Sequence, residues 1–188
     1  SISTTKAAQN GFLVKRRIAL EAARTVDIVL FDKTGTLTKG EFGVIHIWPV
    51  SGQSKDDVLI LTASLDALSE HPIAKAVVAK AKERGLTLQE PKRFEAIKGH
   101  GVKALLGEKE VMVGGPALLE SIAVTLPTDL ARETKEAGQK GQTVIFVVKD
   151  RTLIGALALA DIIREESRQA INMLKELGVR TSMITGDS

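Results

Sequence analysis

The order of residues predicts an α/β protein whose parallel sheet is interrupted by an inserted α+β domain built on antiparallel hairpins. Three observations carry that expectation. First, "TVDIVLF", Thr25 to Phe31, is β-rich and almost wholly apolar, then stops on Asp32, as a buried parallel-type strand does. Second, the chain closes on a strand–helix–strand pattern, "TLIGALALA", "REESRQAINMLKELG" and "VRTSMIT", which reads as a βαβ unit. Third, the middle alternates differently: "EFGVIHIW", "VKALLG" and "EVMVGG" have hairpin periodicity, with helical patterns near 54–68 and 72–84.

Element by element, "FLVKRRIALEAA" (12–23) places Phe12, Leu13, Arg16, Leu20 and Ala23 at helical spacings ahead of the first strand. In the closing unit Ala170, Ile171, Leu174 and Leu177 share one helical face, and Gly178 stops the helix. The polar, turn-prone stretches Lys39–Gly40 and Lys149–Asp150–Arg151 are the expected joints. They divide the chain into residues 1–39 and 150–188, two parts of one domain, around an insertion at 40–149. No internal repeat or low-complexity tract interrupts this order.

Composition narrows the function classes. Of the 188 residues 44% are hydrophobic, enough for a core, and a net charge of +3 without a basic tract gives no sign of nucleic-acid binding. The absence of cysteine excludes disulfides and thiolate metal sites, and His46, His71 and His100 lack zinc-ligand spacing. The longest apolar runs, "VIFVV" and "LIGALALA", fall far short of the roughly 20 residues of a membrane helix, and no signal peptide is visible.

The chemistry is concentrated in "LFDKTGTLTKGEF" (30–42). In open α/β sheets ligands gather where strands end at their carboxyl side. A carboxylate there can attack a phosphoryl group; the following hydroxyls and amides can hold phosphate oxygens, and carbonyls can help hold magnesium. The alternative is a simple turn in which Thr34 and Thr36 satisfy neighbouring backbone groups. Against that, the string Asp32-Lys33-Thr34-Gly35-Thr36-Leu37-Thr38 resembles the phosphorylation signature of P-type ATPases at every position. The resemblance implies a haloacid dehalogenase-like, Rossmannoid phosphorylation domain with Asp32 as nucleophile. Lys33, Thr34 and Thr36 act beside it, and Asp32 and Thr34 bind Mg2+. Phosphatases of that fold usually carry a second aspartate where this chain has Thr34. A threonine is a poor general acid or base, so an aspartyl phosphate should persist.

The insertion adds "SEHPIAKA" (69–76) and "IKGHGV" (97–102). Pro72 suits a first helical turn, with Glu70 and His71 at its mouth. Together the two strings resemble the nucleotide-binding domain of heavy-metal-transporting (P1B) P-type ATPases. On that resemblance His71 orients ATP, Gly99 and Gly101 let the backbone approach it, and Glu70 lies alongside. Asp66 stands where the family usually has an adenine-contacting glutamate. Gly115 replaces a frequent asparagine, and the "GP" pair that follows is closer to CopB-type copper pumps. So is the N-terminal "STTKAAQNGFLVKRRIALE". At the far end Thr185, Gly186 and Asp187 resemble the second phosphate-contacting motif, and Asp161 and Arg164 match the hinge segment.

The resemblance as a whole implies a cytosolic portion of a plasma-membrane copper-exporting pump, using ATP and Mg2+. It comprises a complete nucleotide-binding domain and an incomplete phosphorylation domain, monomeric by itself. Its partners are the actuator domain and transmembrane helices of the same pump, with membrane contact only through them. A free-standing phosphatase of the same fold and a non-catalytic nucleotide-binding module are the rival readings.

Overall fold

The computed structural model describes residues 2–9, 11 and 13–184. The chain divides into two compact units, one of residues 1–39 and 163–188, the other Gly40–Ile162.

In the first unit, helices α1 (Ile2–Gln9) and α2 (Arg17–Ala22) precede strand β1 (Ile28–Asp32). β1 pairs in parallel with β8 (Arg180–Ile184), in a register that sets Ile28 against Arg180 and Asp32 against Ile184. Helix α7 (Glu165–Glu176) leads into β8; its first turn carries Glu165 and Glu166 and its last Lys175, charges that complement the helix dipole. The parallel pairing agrees with expectation, but the burial does not. Ile28 and Leu30 are about half exposed, and just past α7 Leu177 stays in solvent. A strand is buried only when layers cover both faces, and among the described residues this sheet has two strands.

The second unit is a six-stranded sheet in the order β2-β7-β6-β5-β4-β3. Its strands are β2 (Thr38–Pro49), β3 (Lys92–Ile97), β4 (Gly101–Leu106), β5 (Lys109–Gly114), β6 (Thr143–Lys149) and β7 (Thr152–Ile163). Helices α3 (Lys55–Asp66) and α4 (Pro72–Glu83) pack with Ile145, Val147, Leu157 and Leu159 in one core. Helices α5 (Pro116–Ser121) and α6 (Thr128–Gln139) supply Leu119 and Leu130 to another, with Phe146, Val148 and Ala156. Alternate residues of β6 therefore serve opposite cores, which is why "VIFVV" is apolar throughout. α3 begins on a reciprocal cap: the Ser54 hydroxyl accepts from the Asp57 amide while the Asp57 carboxylate accepts from the Ser54 amide.

Two readings are corrected by this sheet. "TLIGALALA" belongs to β7, antiparallel to β6, and not to a βαβ unit with β8. A continuous apolar run marks a strand covered on both faces but carries no information about its neighbour's direction. Lys149–Asp150–Arg151 is a two-residue hairpin turn rather than a joint. Lys149 pairs with Thr152 across it, and Asp150 and Arg151 both have positive φ, as a type I′ turn demands. The turn is also tied to β5: Asp150 Oδ1 accepts from the Glu110 amide at 3.1 Å, and Lys109 Nζ lies 3.0 Å from Oδ2. The second unit accordingly runs on to Ile162 instead of ending at residue 149.

Candidate functional site

Asp32 is the last residue of β1, exposed, and its carboxylate has no intramolecular hydrogen bond among the described residues. The turn that follows, Lys33–Leu37, is closed from one position. The Thr38 amide and the Thr38 hydroxyl, the latter at 3.1 Å, both donate to the Lys33 carbonyl. The same hydroxyl oxygen accepts the Gly35 amide at 3.2 Å. Gly35 stands at φ +79°, left-handed backbone that a β-branched residue would not tolerate, and open space lies around its Cα. The local capping expected as the alternative role of Thr34 and Thr36 thus falls to Thr38, which is buried at 4% exposure. The hydroxyls of Thr34 and Thr36 are exposed and make no hydrogen bond among the described residues. The result is an exposed carboxylate followed by exposed hydroxyls on a closed turn, a set of groups chemically able to accept a phosphoryl group.

The exit of that turn is held by the start of α7. The Arg164 amide donates to the Leu37 carbonyl at 3.0 Å, and Arg164 Nε to the Thr38 carbonyl at 2.9 Å. The Ser167 hydroxyl reaches the Thr36 carbonyl at 3.5 Å. Thr185, Gly186 and Asp187 lie outside the described residues. For Mg2+ the oxygen donors of the right chemistry here are Asp32 and the carbonyls of its turn other than those of Lys33, Thr36 and Leu37, which already accept hydrogen bonds. No cluster of three or more His, Cys, Asp or Glu side chains occurs among the described residues.

In the second unit, His71 is the N-cap of α4. Its Nδ1 accepts from the Ile73 amide at 3.3 Å, so the proton of the neutral ring sits on Nε2, which faces away from the cap and can donate elsewhere. Pro72 at the first helical position has no amide to leave unsatisfied. A chain of hydrogen bonds links this cap to α3: the His71 amide donates to Ser69 Oγ, and the Ser69 amide to the carbonyl of Asp66, the last residue of α3. Glu70 and His71 are exposed, whereas Asp66 is 6% exposed with no hydrogen bond to its carboxylate among the described residues. That burial pushes the Asp66 carboxyl from its ordinary 3.8 up to about 7.

Gly99 and Gly101 differ in kind. Gly99 has φ +76° and open space, the demand of a turn alone. Gly101 pairs with Gly114 across β4 and β5, and a Cβ on Gly101 would fall 2.0 Å from the Val113 carbonyl oxygen. Its absent side chain is first a requirement of the sheet. Gly114 leads into Gly115 and Pro116, which open α5. Beside them is a cavity of about 700 Å³ lined by Ile73, Gly115, Pro116, Val144 and Ile145, among others. The start of α4, one residue past the His71 cap and its proline, and the glycine-rich end of β5 therefore meet around one apolar space, of the size that takes a small organic ligand. Sequence reasoning assigned no role to Thr38 or Ser69. The only cue for Thr38 was a hydroxyl at the seventh position of an otherwise assigned string.

Among the described residues no helix is long and apolar enough to cross a membrane. A family model for haloacid dehalogenase-like hydrolases matches residues 26–188. The copper-exporting P-type ATPase B of Archaeoglobus fulgidus is 43% identical over all of this chain, which spans 26% of that relative. The probable copper-exporting P-type ATPase V of Mycobacterium tuberculosis is 38% identical, again over all of the chain and 24% of the relative. Among solved structures, a zinc-transporting PIB-type ATPase in the E2.Pi state superposes with a TM-score of 0.85 at 34% identity, covering 97% of this chain and 29% of that one. The catalytic domain of the CPx-ATPase CopB-B studied on nucleotide binding gives 0.63 at 27% identity, covering 98% and 62%.

Proposed function

The chain belongs to the haloacid dehalogenase-like hydrolase family, and from that premise we propose that it is the ATP-binding and phosphorylation portion of a heavy-metal-transporting P-type ATPase that exports copper. The observation that carries the reading is Asp32: an exposed carboxylate at the carboxyl end of a parallel strand, followed by a closed turn on which, among the described residues, neither it nor the hydroxyls of Thr34 and Thr36 are engaged in a hydrogen bond. The likeness of the sequence to the copper-exporting ATPases of Archaeoglobus and Mycobacterium supports the choice of cargo, and the first of these favours the B-type branch.

In this mechanism the second unit holds ATP. His71 donates from Nε2, Asp66 and the Gly99–Gly101 turn flank the nucleotide, with Glu70 beside them, and the cavity next to Ile73 and Gly115 provides apolar surface. A carboxylate oxygen of Asp32 attacks the γ-phosphorus, its bond to the β–γ bridging oxygen breaks, and ADP leaves with that electron pair. Lys33 and the hydroxyls of Thr34 and Thr36 stabilise the charge on the transferring group, as do Thr185, Gly186 and Asp187. Asp32 and Thr34 would hold Mg2+, which would supply neutralisation of the phosphate charge. Water later cleaves the acyl phosphate. Because Thr34 stands where a phosphatase has its second aspartate, that cleavage is slow until other parts of the pump promote it. The chain spans about a quarter of the length of these relatives, so the actuator domain, the membrane helices, the plasma-membrane location and the coupling to copper belong to the rest of the proposed pump.

The test is Asp32→Asn in the full-length protein. It should abolish the hydroxylamine-sensitive phosphoenzyme formed from labelled ATP while leaving ATP binding near the wild-type level, since an amide keeps the shape but is a poor nucleophile. Phosphate incorporation at the wild-type level in that variant would end the proposal.

A further inference from the structure

The phosphorylation turn poses a question that its exposed groups do not answer. Five residues leave Asp32 through a left-handed glycine, two threonines point into solvent, and yet Asp32, Thr34 and Thr36 must hold one geometry to within fractions of an ångström for in-line transfer. Thr34, Gly35 and Thr36 are exposed, and among the described residues nothing packs within 4 Å of where a Gly35 Cβ would lie. The turn's order has to come from internal hydrogen bonds.

We infer that Thr38 is a positioning residue for phosphoryl transfer, its single hydroxyl closing the Asp32–Leu37 turn so that the remaining donors face the incoming phosphate. This rests on the proposed role of Asp32. The hydroxyl donates to the Lys33 carbonyl at 3.1 Å and accepts the Gly35 amide at 3.2 Å, and so spans the entry and the apex of the turn. Those bonds decide which groups are left over. The Gly35 amide is engaged inside the turn and does not face a ligand, whereas the hydroxyls of Thr34 and Thr36 remain outside. Burial of Thr38 makes the closure strong, since its hydroxyl exchanges poorly with water. The other end is fixed as well: α7 takes the three successive carbonyls of Thr36, Leu37 and Thr38 through Ser167 and Arg164. A residue that only began β2 would need neither its hydroxyl nor this double use of it.

The experiment compares Thr38→Val and Thr38→Ser in the full-length protein, measuring the rate of phosphoenzyme formation against ATP concentration, with Asp32→Asn alongside. Valine keeps the branched shape and removes both bonds. It should slow phosphorylation by about tenfold to a hundredfold with the half-saturating ATP concentration unchanged within about twofold. Serine restores the hydroxyl and should return the rate to within about threefold. A valine rate within about twofold of wild type, failure of serine to rescue, or a parallel shift in ATP half-saturation would each overturn the inference. Should Asp32→Asn still be phosphorylated, the reading of Asp32 fails instead, so the two failures are distinct. Amide exchange at Gly35 in the wild-type 188-residue chain gives a measurement that needs no variant. Protection is expected, and exchange at the free-peptide rate would refute the closure.

Discussion

Replacing Asp66 with asparagine tests the electrostatics of the nucleotide-binding unit and gives a magnitude worked from the structure. Asp66 closes α3 with 6% of its surface exposed, and its carboxyl is raised from 3.8 to about 7 by burial alone. A shift of about three units at about 1.4 kcal/mol each corresponds to about 4 kcal/mol between the protonated and ionised forms in the folded state. The sign follows from linkage. Folded protein binds this proton more tightly than unfolded chain, so the stability is fully present below about pH 4 and is lost as pH rises through about 7. The substituted asparagine cannot ionise and keeps nearly the same volume. The variant should therefore match wild type near pH 4 and exceed it at pH 8 by up to about 4 kcal/mol, an upper bound because the ionised carboxylate can relax towards water. Urea unfolding followed at several pH values between about 4.5 and 8 measures the difference. Parallel stability curves for the two proteins would refute the argument, because they would mean that Asp66 ionises as readily folded as unfolded.

Further expectations concern the same unit. His71→Ala removes the cap acceptor of the Ile73 amide and the Nε2 donor; it should cost about 1 kcal/mol in urea unfolding and weaken ATP binding in calorimetric titration, with serine restoring the stability but not the binding. Gly101→Ala places a methyl 2.0 Å from the Val113 carbonyl oxygen and should destabilise by about 3 kcal/mol or more. At Gly115, where φ is −75° and nothing lies within 4 Å of a Cβ, alanine should be neutral within about 0.5 kcal/mol. Equal losses at the two glycines in thermal unfolding would show that the strand contact is not what demands Gly101.

Much of this protein was legible before folding was considered. Helix α4 was announced by Pro72 and a preceding cap, α7 by its apolar spacing and Gly178, and Asp32 by a strand that ends on a carboxylate. Each signal spans a few residues, and local backbone physics reads it without help. The failures share a cause as well. "TLIGALALA" is apolar because β7 has α3 on one side and α5 and α6 behind its neighbours on the other, and nothing within those residues says that β6 is the partner. Asp150 and Arg151 looked like a linker because polar turn residues serve joints and hairpins alike. Only the pairing of Lys149 with Thr152 distinguishes them.

The sequence by itself determined the chemistry available: a nucleophile, hydroxyls spaced to follow it, a histidine ahead of a proline, and glycines at two turns. Tertiary structure decided which of these are free to act. Thr38 took over the internal bonds and left Thr34 and Thr36 outside; Gly101 proved necessary to the strand beside it; Asp66 went under cover and its proton affinity rose. Those outcomes depend on which atoms are brought to within bonding distance and which are removed from water. Both are sums over contacts between distant segments, so they come into being only with the fold.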